Sequence, residues 1–301
     1  MAEAATLEEA ALALDIGGTK ILAALVRGAE VLAEVRVPTD PSAGPEGWLA
    51  RAEEAVAPWA GRYAWTGAAV TGLVDGGRWS ALNPGILPIP DGYPLMERLS
   101  ARLGGPAAAF NDAQAAAWGE HRFGAGQGAD MVFLTLSTGI GGGIVLGGRL
   151  LLGRGSLAGH FGVTAPVLAE HPAHIEDGIA GRWIAGEAAR VGHPVDAEGV
   201  FAAAQAGEGW AETIVMKSAR RAARLLANIQ LMLAPARIVL GGGIGLAPGQ
   251  IERLRELLGP LPPLRRPCLV PAALGARAGV IGAADLARPT IKNDNQQRRI
   301  A

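Results

Sequence analysis

The chain has 301 residues, 50% of them hydrophobic, and a formal net charge of −1. That length allows two compact domains, each with its own core, and the near-neutral charge gives no support for a nucleic-acid or membrane-surface partner. A single cysteine, Cys268, excludes an intramolecular disulfide and fits a reducing compartment. The first ten residues, MAEAATLEEA, lack the basic-then-apolar layout of a signal peptide. The uncharged run from Met131 to Gly148 is broken by glycines and by Ser137-Thr138, so a buried hairpin is expected there and not a membrane span. A cytoplasmic protein is expected.

In chain order, Ala11–Asp15 and Ile21–Val26 are apolar runs flanking Gly17-Gly18 and read as a hairpin. Val31–Val37 alternates as a third strand, and Pro45–Arg62 carries Trp48, Leu49, Ala52 and Val56 at helical spacing. Ala68–Leu73 reads as a strand, Leu95–Leu103 as an amphipathic helix, Ala107–Phe110 as a strand and Gln114–Glu120 as the next helix. The same plan then recurs. Met131–Leu136 is a strand, Ser137–Gly143 a glycine turn and Ile144–Leu146 the return strand. Helices are expected over Ile179–Ala189, Ala197–Ala206, Ala211–Met232, Gln250–Leu257 and Ala278–Ala287, with a strand at Arg237–Leu240 before Gly241-Gly242-Gly243. Two passes of strand, glycine turn and strand imply a duplicated α/β architecture of two lobes with a central cleft. The expected division is 1–115, 116–287 with its final helix returning to the first lobe, and a polar tail from 288 to 301 expected to be disordered.

Three segments carry chemistry. Asp15-Ile16-Gly17-Gly18-Thr19-Lys20 ends an apolar strand with a carboxylate. It can be a hairpin turn with a solvated Asp. It can also offer the N–H groups of Gly17, Gly18 and Thr19, and the Lys20 cation, to phosphate oxygens. Asp15 would then hold Mg²⁺, directly or through water. Ser137-Thr138-Gly139-Ile140-Gly141-Gly142-Gly143 repeats that logic, with Thr138, Gly139 and Gly141 toward the nucleotide. Gly241-Gly242-Gly243 would suit a flat ring such as adenine lying against backbone. In Asn111-Asp112-Ala113-Gln114, Asp112 is either an N-cap for a helix starting at Ala113 or a general base for a hydroxyl attacking a phosphoryl group. Asn111 and Asn83 offer donor and acceptor together, which suits paired sugar hydroxyls, although Asn83 beside Pro84 is also ordinary turn chemistry.

DIGGTK, FNDAQAAAWGE, LTLSTGIGGGIVLGGRLLLGRGSLAGHFG and VLGGGIG, in that order, resemble the ROK family of sugar kinases and repressors, within the actin-like ATPase (ribonuclease H-like) superfamily. The resemblance runs from about Ala11 to about Ala287, and NDAQAAAW, DMVFLTLSTG and LAGH are most similar to the bacterial N-acetylmannosamine kinases of the family. It implies ATP and Mg²⁺ as cofactors, a homodimer, and phosphorylation of the 6-hydroxyl of N-acetylmannosamine with Asp112 as base. Glucokinase and N-acetylglucosamine kinase activities are the nearby alternatives, and an inactive sugar-binding regulator is a more distant one. A repressor of the family carries an N-terminal DNA-binding domain, and with fourteen residues before Asp15 in this sequence a repressor is not expected. The resemblance places Gly72, Asn83, Asn111, Asp112, His160 and Glu176 around the sugar. His160 stands where most ROK sugar kinases have Glu, as it does in the bacterial N-acetylmannosamine kinases. Two departures stand out. Gly162 is followed by Val163 where the family has His, and the three cysteines that join that His in a structural zinc site are missing. His171 and His174 do not replace that four-ligand set, so no zinc is expected.

Overall fold

A computed structural model describes residues 9–82, 84, 87–165 and 174–288, and the chain divides into two units. One comprises Met1–Phe123, Leu152–Ala158 and Ala276–Ala301, the other Gly124–Leu151 and Gly159–Gly275. Against the expected boundary at 115, residues 116–123 and 152–158 fall in the first unit. The helix Asp112–Phe123 explains the first difference: it stays packed on the final helix. The tail beyond Arg288 lies outside the described residues, as do Asn83 and His171.

The first unit begins with β1 (Ala11–Ile16), β2 (Lys20–Arg27) and β3 (Glu30–Pro38), joined as antiparallel neighbours. Helix α1 (Gly44–Val56) stops short of the expected Arg62. Pro58 lacks the N–H that would continue the helix ladder, and Ala57–Trp59 tightens into a 3₁₀ turn. Strand β4 (Trp65–Val70) is followed by a hairpin that the sequence pattern did not reveal, β5 (Leu73–Asp75) and β6 (Arg78–Ser80). Its turn, Gly76-Gly77, has both φ angles positive, as a tight two-residue hairpin requires. Then come α2 (Leu95–Leu103), β7 (Ala107–Asn111) and α3 (Asp112–Phe123). The sheet order is β3-β2-β1-β4-β7, with β4 and β7 parallel to β1. One side of the core holds Trp48 and Trp79, packed edge to face with centroids 5.9 Å apart.

The second unit repeats that order. Strands β8 (Met131–Leu136), β9 (Ile140–Leu146) and β10 (Arg149–Leu151) are antiparallel neighbours. After α4 (Gly181–Arg190), α5 (Ala197–Gln205) and α6 (Gly209–Leu233), strand β11 (Arg237–Gly241) adds parallel to β8. It leads through the single turn α7 (Gly242–Gly245) and α8 (Gln250–Leu258) to β12 (Leu269–Pro271), giving β10-β9-β8-β11-β12. The two sheets therefore share one strand plan, the duplicated α/β architecture expected from element order. Ile140–Gly143, expected as turn, is the first half of β9. Its glycines belong in a strand because the segment from Gly159 to Gly162 crosses directly over them. A Cβ on Gly142 would lie 2.6 Å from the Phe161 ring, and one on Gly162 2.3 Å from Ile140 O.

The final helix α9 (Ala278–Leu286) belongs to the first unit and is almost wholly buried. It meets α3 and β4 at backbone distance. A Cβ on Gly282 would sit 1.8 Å from Ala115 O, one on Gly119 2.5 Å from Ala278 O, and one on Gly67 2.2 Å from Ala283 O. Small residues here let α3 and α9 approach closely.

Candidate active site

The first unit brings together Asp15, Gly72, Asn111 and Asp112. Asp15 is the penultimate residue of β1, beside the Gly17–Thr19 turn, whose shape is held by three bonds: Gly17 N–H to Lys20 O at 3.1 Å, Thr39 N–H to Thr19 O at 3.1 Å and the Thr39 hydroxyl to Gly17 O at 2.8 Å. Thr39 was not foreseen, because its role lies in pairing at the end of β3 and no local motif marks it. Asn111 is buried and its amide is engaged on both sides. Its Oδ1 accepts from Ala113 N–H at 3.0 Å and Gln114 N–H at 3.2 Å, and its Nδ2 donates to Gly72 O at 3.0 Å. Asn111, and not Asp112, therefore caps α3. Gly72 has φ +99°, and a Cβ there would meet Ser80 O at 2.5 Å, so the turn needs glycine for internal reasons. The neighbouring Thr71 O is held by the Trp79 indole at 2.7 Å.

Asp112 is the first residue of α3, and its Oδ1 accepts from Ala113 N–H at 2.8 Å. Burial pushes its carboxyl from 3.8 up to about 6, against the lowering effect of the Ala113 and Asp112 N–H groups and the Asn111 side chain. Asp15 is pushed up to about 7, mainly by burial and then by the Asp112 charge, with Lys20 opposing. Two carboxylates thus share a poorly solvated region with one nearby cation, a negative field that a hard divalent ion would relieve. Gly279, at the start of α9, borders the same place: a Cβ on it would lie 3.4 Å from Asp15 Oδ2. Gln114 completes the framing, its Nε2 donating to Ser156 O and Ala158 O, each at 2.9 Å.

The second unit holds Thr138, Gly139, Gly141, His160, Glu176 and Gly241–Gly243. His160 sits at φ −75° and ψ 59° with Phe161 N–H bonded to Gly159 O at 2.7 Å, an inverse γ-turn that presents its side chain at a sharp bend. Glu176 Oε2 accepts from Ile140 N–H at 3.0 Å and its Oε1 from Arg182 at 2.9 Å. Arg182 carried no sequence signal. Gly241 and Gly242 have internal reasons for being glycine: their Cβ atoms would lie 2.9 Å from the Phe133 ring and 2.2 Å from Leu136 O. At Gly243 a Cβ would meet nothing within 4 Å, so of the three it alone offers an open backbone face. Among the described residues there is no cluster of three or more His, Cys, Asp or Glu side chains placed to hold a metal, and no helix long and apolar enough to cross a membrane.

Residues 11–290 match the model of the ROK family. The bifunctional enzyme NanE/NanK of Brucella melitensis is 53% identical over 280 residues, covering 92% of this chain and 53% of that protein. The chain thus spans about half the length of that relative. The N-acetylmannosamine kinase of Yersinia pseudotuberculosis is 36% identical over 286 residues, covering 93% of this chain and 99% of that one. Among solved structures, the ROK family glucokinase of Streptomyces griseus, in complex with glucose and AMPPNP, is 31% identical with a TM-score of 0.79, covering 93% and 99% of the two chains.

Proposed function

The chain belongs to the ROK family, and on that premise we propose that it transfers the γ-phosphoryl group of ATP to the 6-hydroxyl of N-acetyl-D-mannosamine. The observation that carries the reading is Asp112. Its carboxyl is oriented by the Ala113 N–H and lifted to about 6, so at neutral pH it is ionised yet basic enough to take a hydroxyl proton. The sugar hydroxyl loses its proton to Asp112 as its oxygen closes on the γ-phosphorus and the bond to the β-phosphate oxygen breaks, leaving ADP. Gly72, Asn83, Asn111, His160 and Glu176 are assigned to the sugar. Asn111 acts chiefly by fixing Asp112 and the Gly72 turn. Gly17, Gly18, Thr19 and Lys20 are assigned to phosphate oxygens, as are Thr138, Gly139 and Gly141, and the adenine is assigned to the open face at Gly243.

Asp15 fits a hydrated Mg²⁺, which commonly takes one or two carboxylates and completes its shell with water and phosphate. Bound there, the ion would neutralise charge on the phosphates. The name of the Yersinia relative supports N-acetylmannosamine as acceptor. A glucokinase is the second reading, supported by the glucose-bound Streptomyces relative. The family resemblance supports a homodimer, which sedimentation would test. The reading is tested by following ADP release with N-acetylmannosamine and locating the phosphate by NMR. Phosphorylation at O6 supports it, and sugar-independent ATP hydrolysis or another position contradicts it.

A further inference from the structure

We propose that the open edge of β7 is a separate binding site for a small neutral molecule that carries an N–H and a C=O side by side, such as a primary carboxamide or a lactam. The site lies within the first unit, and none of its residues is assigned to the sugar or the nucleotide. It holds whichever sugar is phosphorylated.

Strand β7 ends its sheet, with β4 as its one neighbour. Residues 108, 109 and 110 all line a cavity of about 310 Å³. Successive side chains of a strand point to opposite faces, so three in a row border one space only where the strand is met edge-on. Thr66 N–H bonds to Pro106 O at 2.9 Å, and backbone groups alternate along a strand between its neighbour and its free side. Ala108 and Phe110 therefore face β4, and Ala109 turns its N–H and C=O toward the cavity. Neither group has a hydrogen-bond partner among the described residues, although Ala109 is only 9% exposed. Buried backbone groups are nearly always paired. A carboxamide or lactam matches this edge with both its atoms at once, whereas an ordinary trans secondary amide points its N–H and C=O in opposite directions.

Two further polar side chains, each more than nine-tenths buried, line the same space. Gln114 commits its Nε2 to Ser156 O and Ala158 O, so its Oε1 is left as an acceptor with no partner among the described residues. That oxygen suits the second N–H of a carboxamide. The Ser156 hydroxyl likewise has no partner among the described residues. Ser156 sits at φ +56°, where glycine would serve without strain, so it is the hydroxyl and not the turn that calls for serine. Met96, Phe110 and Leu152 supply apolar wall, which suits a flat ring. The lining residues include the Asp75 carboxylate and no cation, so an anion is disfavoured.

The test uses the whole chain with ¹³C-methyl methionine, because Met96, one of five methionines, lines the cavity. Its resonance is identified by its loss in Met96→Leu. Benzamide and 2-pyridone should shift that methyl saturably. N-Methylbenzamide, whose N–H lies trans to its C=O, and benzoate should bind about tenfold more weakly or worse, since each leaves a buried strand group unpaired. Ser156→Gly should weaken benzamide binding by about fivefold, as loss of one hydrogen bond implies, yet melt no lower than wild type. A Met96 methyl that neither benzamide nor 2-pyridone shifts would overturn the inference. Equal affinity for benzamide and N-methylbenzamide would overturn it too, because the strand edge would then not be read. So would a Ser156→Gly chain that binds benzamide as tightly as wild type, or that melts lower, which would make the serine structural.

Discussion

Replacing Asp112 by Asn keeps the volume of the side chain and the oxygen that accepts from Ala113 N–H at 2.8 Å, but removes its capacity to take a proton. A general base is typically worth 10²–10⁴ in rate, or about 3–5 kcal/mol of barrier. The fold should respond in the opposite direction. Because burial raises the folded-state carboxyl from 3.8 to about 6, the folded chain holds more protons than the unfolded chain between those values. Stability therefore falls as pH rises through that window, and above it the cost is fully present. The difference between 3.8 and about 6 corresponds to on the order of 3 kcal/mol, reduced by the partial exposure of the group. Asn carries no such cost and also relieves Asp15 of a neighbouring charge. ADP release measured from about pH 5 to pH 9, with melting curves at both ends, reads both effects. Wild-type kcat/KM should climb through about pH 6 and then level. Asp112→Asn should lose at least about a hundredfold in kcat with sugar and ATP KM little changed, and should melt higher than wild type at alkaline pH. Turnover within about tenfold of wild type, or a lower alkaline melting temperature, would refute the reasoning.

His160→Glu should shift the ratio of kcat/KM for N-acetylmannosamine over glucose toward glucose by about tenfold or more, since a mismatched buried polar group costs roughly 1–3 kcal/mol; a ratio within about twofold of wild type would mean that His160 only packs. Gly282→Ala places a methyl where Ala115 O stands 1.8 Å away and should cost about 1–3 kcal/mol in urea unfolding, whereas an unchanged midpoint would show that α9 can shift freely. Elemental analysis should find no stoichiometric zinc, and a chelator should leave the melting temperature unchanged; about one zinc per chain would contradict this.

Much of the fold was legible because apolar runs and glycine punctuation are local signals. The β1–β2 hairpin and the long helix α6 follow from them almost residue by residue. What was not legible depends on contacts far apart in sequence. The glycines of β9 read as a turn until the crossing of Phe161 over Gly142 is known, and the packing need for glycine at 241 and 242 shows only once Phe133 and Leu136 are known to lie against them. At the site, Asp112 stood out by its place between a strand and a helix. Its exchange of roles with Asn111 did not, because which of two adjacent side chains caps a helix depends on where the helix starts. Thr39, Arg182 and Gly279 belong to no motif and act through backbone neighbours 20 or more residues away, or through a carboxylate from another segment.

N-Acetylmannosamine as the acceptor is decided by kcat/KM from coupled ADP release across N-acetylmannosamine, N-acetylglucosamine, mannose and glucose. The highest value is expected for N-acetylmannosamine. A value for glucose or N-acetylglucosamine equal to or above it would rule out that acceptor, as would ADP release that no sugar stimulates.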